Sequence, residues 1–201
     1  MKDFMPNSEL TKDRKPLPKG KRARTRAALL QAASEVIGEE GFAGASLEAI
    51  AKRAGMSRGA IYGNFKNRDE LFLAVALSRW RPIVPEIEPG TSFRDQMRKL
   101  ADAWIAAQGS NRQAAVSAAA FQEYALTHEE MRLAIVELNR EVYRRTAKRV
   151  RATIADSELP MPAAKLVRVL HSMIEGFTLL RALTPELITD DVVRTAFEAL
   201  A

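Results

Sequence analysis

The chain has 201 residues, 47% of them hydrophobic and 6% aromatic, with a formal net charge of +6 at pH 7. That length holds one or two domains with a sizeable core. The absence of cysteine excludes disulfides and thiolate metal sites. No run of about 18 apolar residues, as a membrane span requires, is present. The start lacks the apolar core of a signal peptide, so a cytoplasmic location is expected.

Residues 1–26 carry nine Lys/Arg (Lys2, Lys12, Arg14, Lys15, Lys19, Lys21, Arg22, Arg24 and Arg26) against Asp3, Glu9 and Asp13, which is the whole net charge. Pro6, Pro16, Pro18 and Gly20 lie among these charges. Residues 1–20 therefore read as a flexible basic arm. A basic arm ahead of a neutral body suits a polyanionic partner, although a solubilising tail has the same composition.

Helical spacing of Leu29, Leu30, Ala33, Val36 and Ile37 predicts a first helix over about 21–40, stopped at Gly41. Ser46 is an N-cap for a short helix over about 47–54, with Glu48 in its first turn. Gly55 is expected to end that helix in the left-handed conformation. Ser57 caps another short helix over about 58–64. Asn67 with Glu70 predicts a capping box for a helix over about 68–81. The run Leu71, Phe72, Leu73, Val75 and Leu77 predicts that this fourth helix is buried between two layers. Residues 82–90 hold three prolines and a glycine and read as a linker. Further helices follow over about 92–108, 112–127, 129–156, 163–183 and 190–200, about nine in all, with no β-alternation of useful length.

Two short helices joined by a tight glycine turn are the signature of a helix-turn-helix, which places its second helix in the major groove of DNA. Its pieces here are Leu47, Ile50 and Ala51 for burial, Ala54 and Gly55 for close packing, and Arg58, Ile61, Tyr62 and Phe65 in the second short stretch. Helix N-termini also attract phosphate, so Ser46 and Ser57 are candidate backbone contacts as well as caps.

The wider pattern is more specific. It runs through Arg24-Thr25-Arg26, Ala32-Ala33, Gly41-Phe42, Ser46-Leu47-Glu48-Ala49-Ile50-Ala51, Ala54-Gly55, Ser57-Arg58-Gly59-Ala60-Ile61-Tyr62, Phe65-Lys66 and Leu71-Phe72. With these residues, positions 24–77 resemble the DNA-binding region of TetR-type (tetracycline-repressor family) transcriptional regulators. A looser likeness runs from Phe121-Gln122-Glu123-Tyr124-Ala125 to Met131-Arg132.

The resemblance implies an all-α fold: an N-terminal three-helix DNA-binding domain (21–67), joined by a fourth helix to a C-terminal helical effector-binding and dimerisation domain (68–201). It implies phosphate contacts from Ser46, Tyr62 and Lys66, the last from the start of the fourth helix. It also implies a groove-facing side formed by Arg58, Gly59 and Asn64, with Arg58 suited to guanine and Asn64 to adenine. Arg24 joins the DNA-contact candidates, Phe65 is core, and Ile61 packs the recognition helix on its domain. One position departs: the family often carries a bulky aromatic where this chain has Gly63. With Gly59, that puts two glycines in the expected recognition helix. Both close backbone approach to DNA and simple tolerance of glycine fit this.

The last two helices are apolar over more surface than one packing partner needs, and in the family such helices form a homodimer. The family's larger unit often encloses a small-molecule pocket. Trp104, Phe121, Tyr124, Met131, Met173 and Phe177 are the candidates here, with His171 as a polar handle, and ordinary core packing is the competing reading of each. Catalysis has little support. His128 and His171 stand in no metal-ligand spacing, His128-Glu129-Glu130 reads as a helix start, and Glu137, Arg140, Glu141, Arg144 and Arg145 read as a solvated face. No metal or cofactor is expected. The leading expectation is a dimeric regulator, most simply a repressor released from a palindromic double-stranded DNA operator by an unidentified small molecule. An architectural DNA-binding protein without an effector is the alternative.

Overall fold

The computed structural model describes residues 20–79, 90–108 and 112–201. Among them lie nine α-helices and no strand. These are α1 (Lys21–Gly44), α2 (Leu47–Arg53), α3 (Arg58–Tyr62), α4 (Arg68–Arg79), α5 (Phe93–Gln108), α6 (Arg112–Thr127), α7 (Glu129–Thr153), α8 (Ala163–Leu183) and α9 (Asp190–Glu198), with one 3₁₀ turn at Asp156–Glu158. The expected arm as far as residue 19 and the expected linker as far as residue 89 fall outside the described residues. No described helix is long and apolar enough to cross a membrane.

Local chemistry sets most of the boundaries. The Ser46 side chain accepts from the Ala49 amide at 3.1 Å, capping α2. Asn67 accepts from the Glu70 amide at 2.8 Å, while the Glu70 carboxylate accepts from the Lys66 amide at 2.6 Å. The expected capping box therefore forms with its return bond one residue early, and α4 begins at Arg68. Gly41 takes φ 73°, which breaks the regular part of α1 and turns Phe42 into the core at 6% exposure. α7 stops at Thr153, short of the expected 156.

Two cores organise the described residues. The first gathers α1 to α4 (Leu29, Val36, Ile50, Ile61, Phe65, Leu71 and Phe72 among others) and extends to Tyr124, Ala125 and Met131 of α6 and α7. As expected, α4 is buried over Leu71–Val75. The second core joins α5, α7, α8 and α9 through Phe93, Met97, Trp104, Val150, Leu166, Val193 and Phe197. The ion pairs Arg98–Glu198 and Arg194–Asp102, at 2.9 and 2.8 Å, flank the seam between α5 and α9.

The first core closes around an aromatic cluster. Phe42 lies 5.7 Å from Phe72, 5.3 Å from Phe121 and 5.8 Å from Tyr124 between ring centroids, within the range where such pairs attract. Arg68, at the first position of α4, donates through one nitrogen to the carbonyls of Phe42, Ala43 and Ala45 at 2.8, 3.0 and 2.9 Å. Its guanidinium also sits over the rings of Phe72 and Tyr124. Next to it, the Tyr124 hydroxyl donates to Asp69 at 2.7 Å.

Burial first, and then the bond to Asp69, push the Tyr124 phenol up to about 12. The folded state therefore holds the proton that the unfolded chain releases near pH 10. This contribution to stability is complete below about pH 10 and is lost as pH rises towards about 12. Replacing Tyr124 by Phe removes that part of the alkaline loss, which thermal unfolding of both proteins across the interval will show.

Candidate nucleic-acid interface

α2 and α3 form the helix-turn-helix. Gly55 adopts φ 64° between them, and the Met56 amide donates to the Ala51 carbonyl at 2.9 Å. This left-handed residue reverses the chain with a positive φ that would strain any residue bearing a side chain, although the space around it is open. Leu47, Ile50 and Ala51 face inward from α2, and Ile61 from α3. Behind them, Arg26 of α1 lies 4.2 Å from the Phe65 ring and donates to the Asn64 carbonyl at 3.4 Å. Burial lowers its pKa, opposed by the charge of Glu70. Arg26 therefore locks the end of the recognition helix to α1. A position inside a basic run gave no sign of this inward role.

The opposite surface of α3 is open. Arg58, Gly59, Tyr62 and Lys66 are exposed, Tyr62 at 52%. Ser57 precedes them and Ser46 lies half-buried at the start of α2. Arg24 is exposed on the first turns of α1. Two expectations change at this surface. Ser57 occupies the N-cap position of α3 but makes no side-chain capping bond. Lys66 lies in the turn before α4 and not on its first turn, because the helix starts two residues later.

The recognition helix is also shorter than expected. α3 ends at Tyr62, and Gly63 is its C-cap at φ −70°, a conformation open to any residue. Gly63 is therefore not a second glycine inside the helix. A Cβ placed on it would come within 3.3 Å of the Gly59 carbonyl oxygen, tighter than most real contacts. Asn64 likewise follows the helix. Its amide nitrogen donates to the Ala60 carbonyl at 2.8 Å, and its side-chain oxygen is buried without a partner. The amide expected to read adenine is turned onto α3 in this arrangement.

Arg58 is held from two sides. Its guanidinium pairs with Glu48 of α2 and donates to the Tyr62 hydroxyl at 3.2 Å. The Tyr62 bond, then the charge of Glu48, raise its pKa.

The residues expected to face one pocket are divided between the two cores. Phe121, Tyr124 and Met131 pack in the first, against α1 and α4. Trp104, Met173 and Phe177 pack in the second, with Trp104 and Phe177 5.9 Å apart. His171 shares a 2.5 Å hydrogen bond with Tyr143 and approaches Glu175 at 3.5 Å. The reason is the reach of α6: its C-terminal half faces α1 and α4, where burial of Tyr124 completes the aromatic cluster. An open cleft of about 360 Å³ lies elsewhere, lined by Arg151, Asp156, Leu159, Met161 and Pro162 at the start of α8. His128 does not cap α7 with its side chain. Its Nδ1 pairs with the Tyr124 carbonyl at 2.8 Å, and its ring stacks on Tyr124 at 3.7 Å. The charged face of α7 is as expected, with exposed pairs Arg140–Glu137, Arg144–Glu141 and Arg145–Glu141. Among the described residues no group of His, Asp and Glu has the arrangement of a metal site.

Residues 29–75 match the family described as bacterial regulatory proteins, tetR family. The HTH-type transcriptional regulator SrpR of Pseudomonas putida is 38% identical over 65 residues, 32% of this chain and 30% of that protein. The match thus spans under a third of that relative's length. Two solved structures superpose over most of the chain. Salmonella enterica GusR has a TM-score of 0.70 and 18% identity, covering 90% of this chain and 97% of its own, a likeness of fold. NalD, the secondary repressor of the MexAB-OprM multidrug efflux pump in Pseudomonas aeruginosa, has a TM-score of 0.60 and 26% identity, covering 88% and 94%.

The two serines give a direct comparison of capping. Ser46→Ala is expected to lower stability by about 1 kcal/mol, the usual cost of losing an N-cap bond. Ser57→Ala is expected to change it by less than about 0.5 kcal/mol. Urea unfolding of both variants measures the difference.

Proposed function

We propose, from the match of residues 29–75 to the tetR family of bacterial regulatory proteins, that this chain is a homodimeric repressor released from a palindromic operator by a small molecule. The observation that carries the DNA-binding half of this reading is the polarity of α3 and of the turn that follows it. Ile61 and Phe65 are buried on one side, while Arg58, Gly59, Tyr62 and Lys66 are exposed on the other. A half-exposed tyrosine between two cations suits a phosphate backbone, with hydroxyl and ammonium groups as donors. Ser46, Ser57, Tyr62, Lys66 and Arg24 supply grip, and Arg58 with Gly59 faces the base edges. Asn64 joins them only if its amide turns away from Ala60.

Unpartnered apolar surface supports a dimer. Leu179, Leu180 and Leu183 of α8 are 42%, 48% and 63% exposed, and Leu187 in the following loop is 71% exposed. α9 contributes less than its sequence suggests, because Val193 and Phe197 are buried against α5. Two symmetric heads would read half-sites about one DNA turn apart, roughly 34–36 Å.

The shared first core supports control by a ligand. Because Tyr124 and Met131 are packed with α1 and α4, a body reshaped around an effector would favour a different head spacing, a shift of population between two states. The regulator works from the cytoplasm in this reading.

Selection from random duplexes, followed by protection mapping, tests the function. One protected two-fold-symmetric site is expected, and diffuse coverage would overturn it. Lys66→Ala should weaken binding to all sequences and reduce the salt slope by about one. Light scattering should find a dimer at micromolar concentration, and Leu183→Glu should give a folded monomer that binds the operator at least tenfold more weakly.

A further inference from the structure

Arg58 is the cation best placed on α3 to meet a base, yet a carboxylate holds it. Glu48 is 61% exposed and Arg58 53% exposed, so neither burial nor the core requires the pair. An exposed ion pair adds little to stability. Glu48 also stands in the first turn of α2, two residues beyond Ser46, on the side where DNA phosphates would pass. An uncompensated carboxylate there repels every duplex alike. Arg53, the guanidinium of α2, is already taken by Glu39 at 2.6 Å and Glu35 at 3.4 Å. Glu48 is therefore matched to Arg58.

Resting on the DNA-binding reading above, we propose that Glu48 is a positioning residue that sets base discrimination through Arg58. Arginine presents five N–H donors in a rigid fork. Glu48 takes one at Nη1 and the Tyr62 hydroxyl one at Nη2. The planar group is then fixed in orientation with its other donors free for the O6 and N7 of a guanine. The same pairing cancels the Arg58 charge against Glu48, so that this residue gains little from phosphate alone. Non-specific binding is held down while the guanine contact is pre-organised.

The test uses the full chain and the operator obtained by selection. Glu48→Gln keeps the size and removes the charge. Binding to unrelated duplex should tighten several-fold, and the salt slope should steepen by about one phosphate equivalent. Discrimination at one guanine of each half-site should fall from on the order of tenfold or more to about threefold or less. In an Arg58→Ala background the same change should leave that discrimination unaltered. Thermal stability should stay near that of the parent, which separates positioning from a fold defect. A Glu48→Gln protein with unchanged salt slope and unchanged base discrimination would overturn the inference and leave the regulator reading intact. An undiminished effect of Glu48→Gln without Arg58 would also overturn it. A parent chain that prefers no selected duplex would remove the regulator reading itself, and this inference with it.

Discussion

Past the break of α1 at Gly41, the carbonyls of the turn that closes the helix share one guanidinium as their partner. Arg68 satisfies Phe42, Ala43 and Ala45 together, while its flat face rests on Phe72 and Tyr124. The carbonyls are the negative end of α1, so a fixed cation is favoured there by the dipole as well as by hydrogen bonding. The aromatic cluster forms around this point because the glycine kink swings Phe42 inward. The orientation of α1 sets that of α2 and α3, since Leu29, Ile50, Ile61 and Phe65 share the same core. The exposed surface of the recognition helix is thus held, through successive packing contacts, by a joint on the far side of the head.

That joint includes the body. Tyr124 contributes its ring to the cluster, its hydroxyl to Asp69 and its backbone carbonyl to His128. The first core therefore does not stop at the head but continues into α6 and α7. A motion of α6 alters the same contacts that position α4 and α1. Ligand control, as proposed, would take its physical route here, without contact between the ligand and the head.

The two surfaces invoked in the proposed function differ in how they are built. The α3 surface is polar and pre-ordered by the partners of Arg58 on the outside and Arg26 on the inside. The α8 surface is apolar where Leu179, Leu180, Leu183 and Leu187 stand exposed among the described residues. One suits a hydrated polyanion, the other a second copy of the same chain.

The sequence alone determined the helices, because periodicity, caps and glycine stops act over a few residues. α5, α6 and α8 begin or end within a residue of expectation, and Gly55 takes the left-handed turn its position demanded. It also determined which side of α3 and of the turn after it is buried, since Ile61 and Phe65 stand at helical spacing. Tertiary structure decided what depends on neighbours distant in the chain. Nothing local separates Arg26 and Arg68, which turn inward to backbone carbonyls and aromatic rings, from Arg24, which stays in solvent. Nothing local shows that Phe121 and Tyr124 close the head while Trp104 and Phe177 pack a separate core, or that α9 hides Val193 and Phe197 against α5. Burial and hydrogen-bond partners are properties of contacts between elements, so only their assembly could assign them.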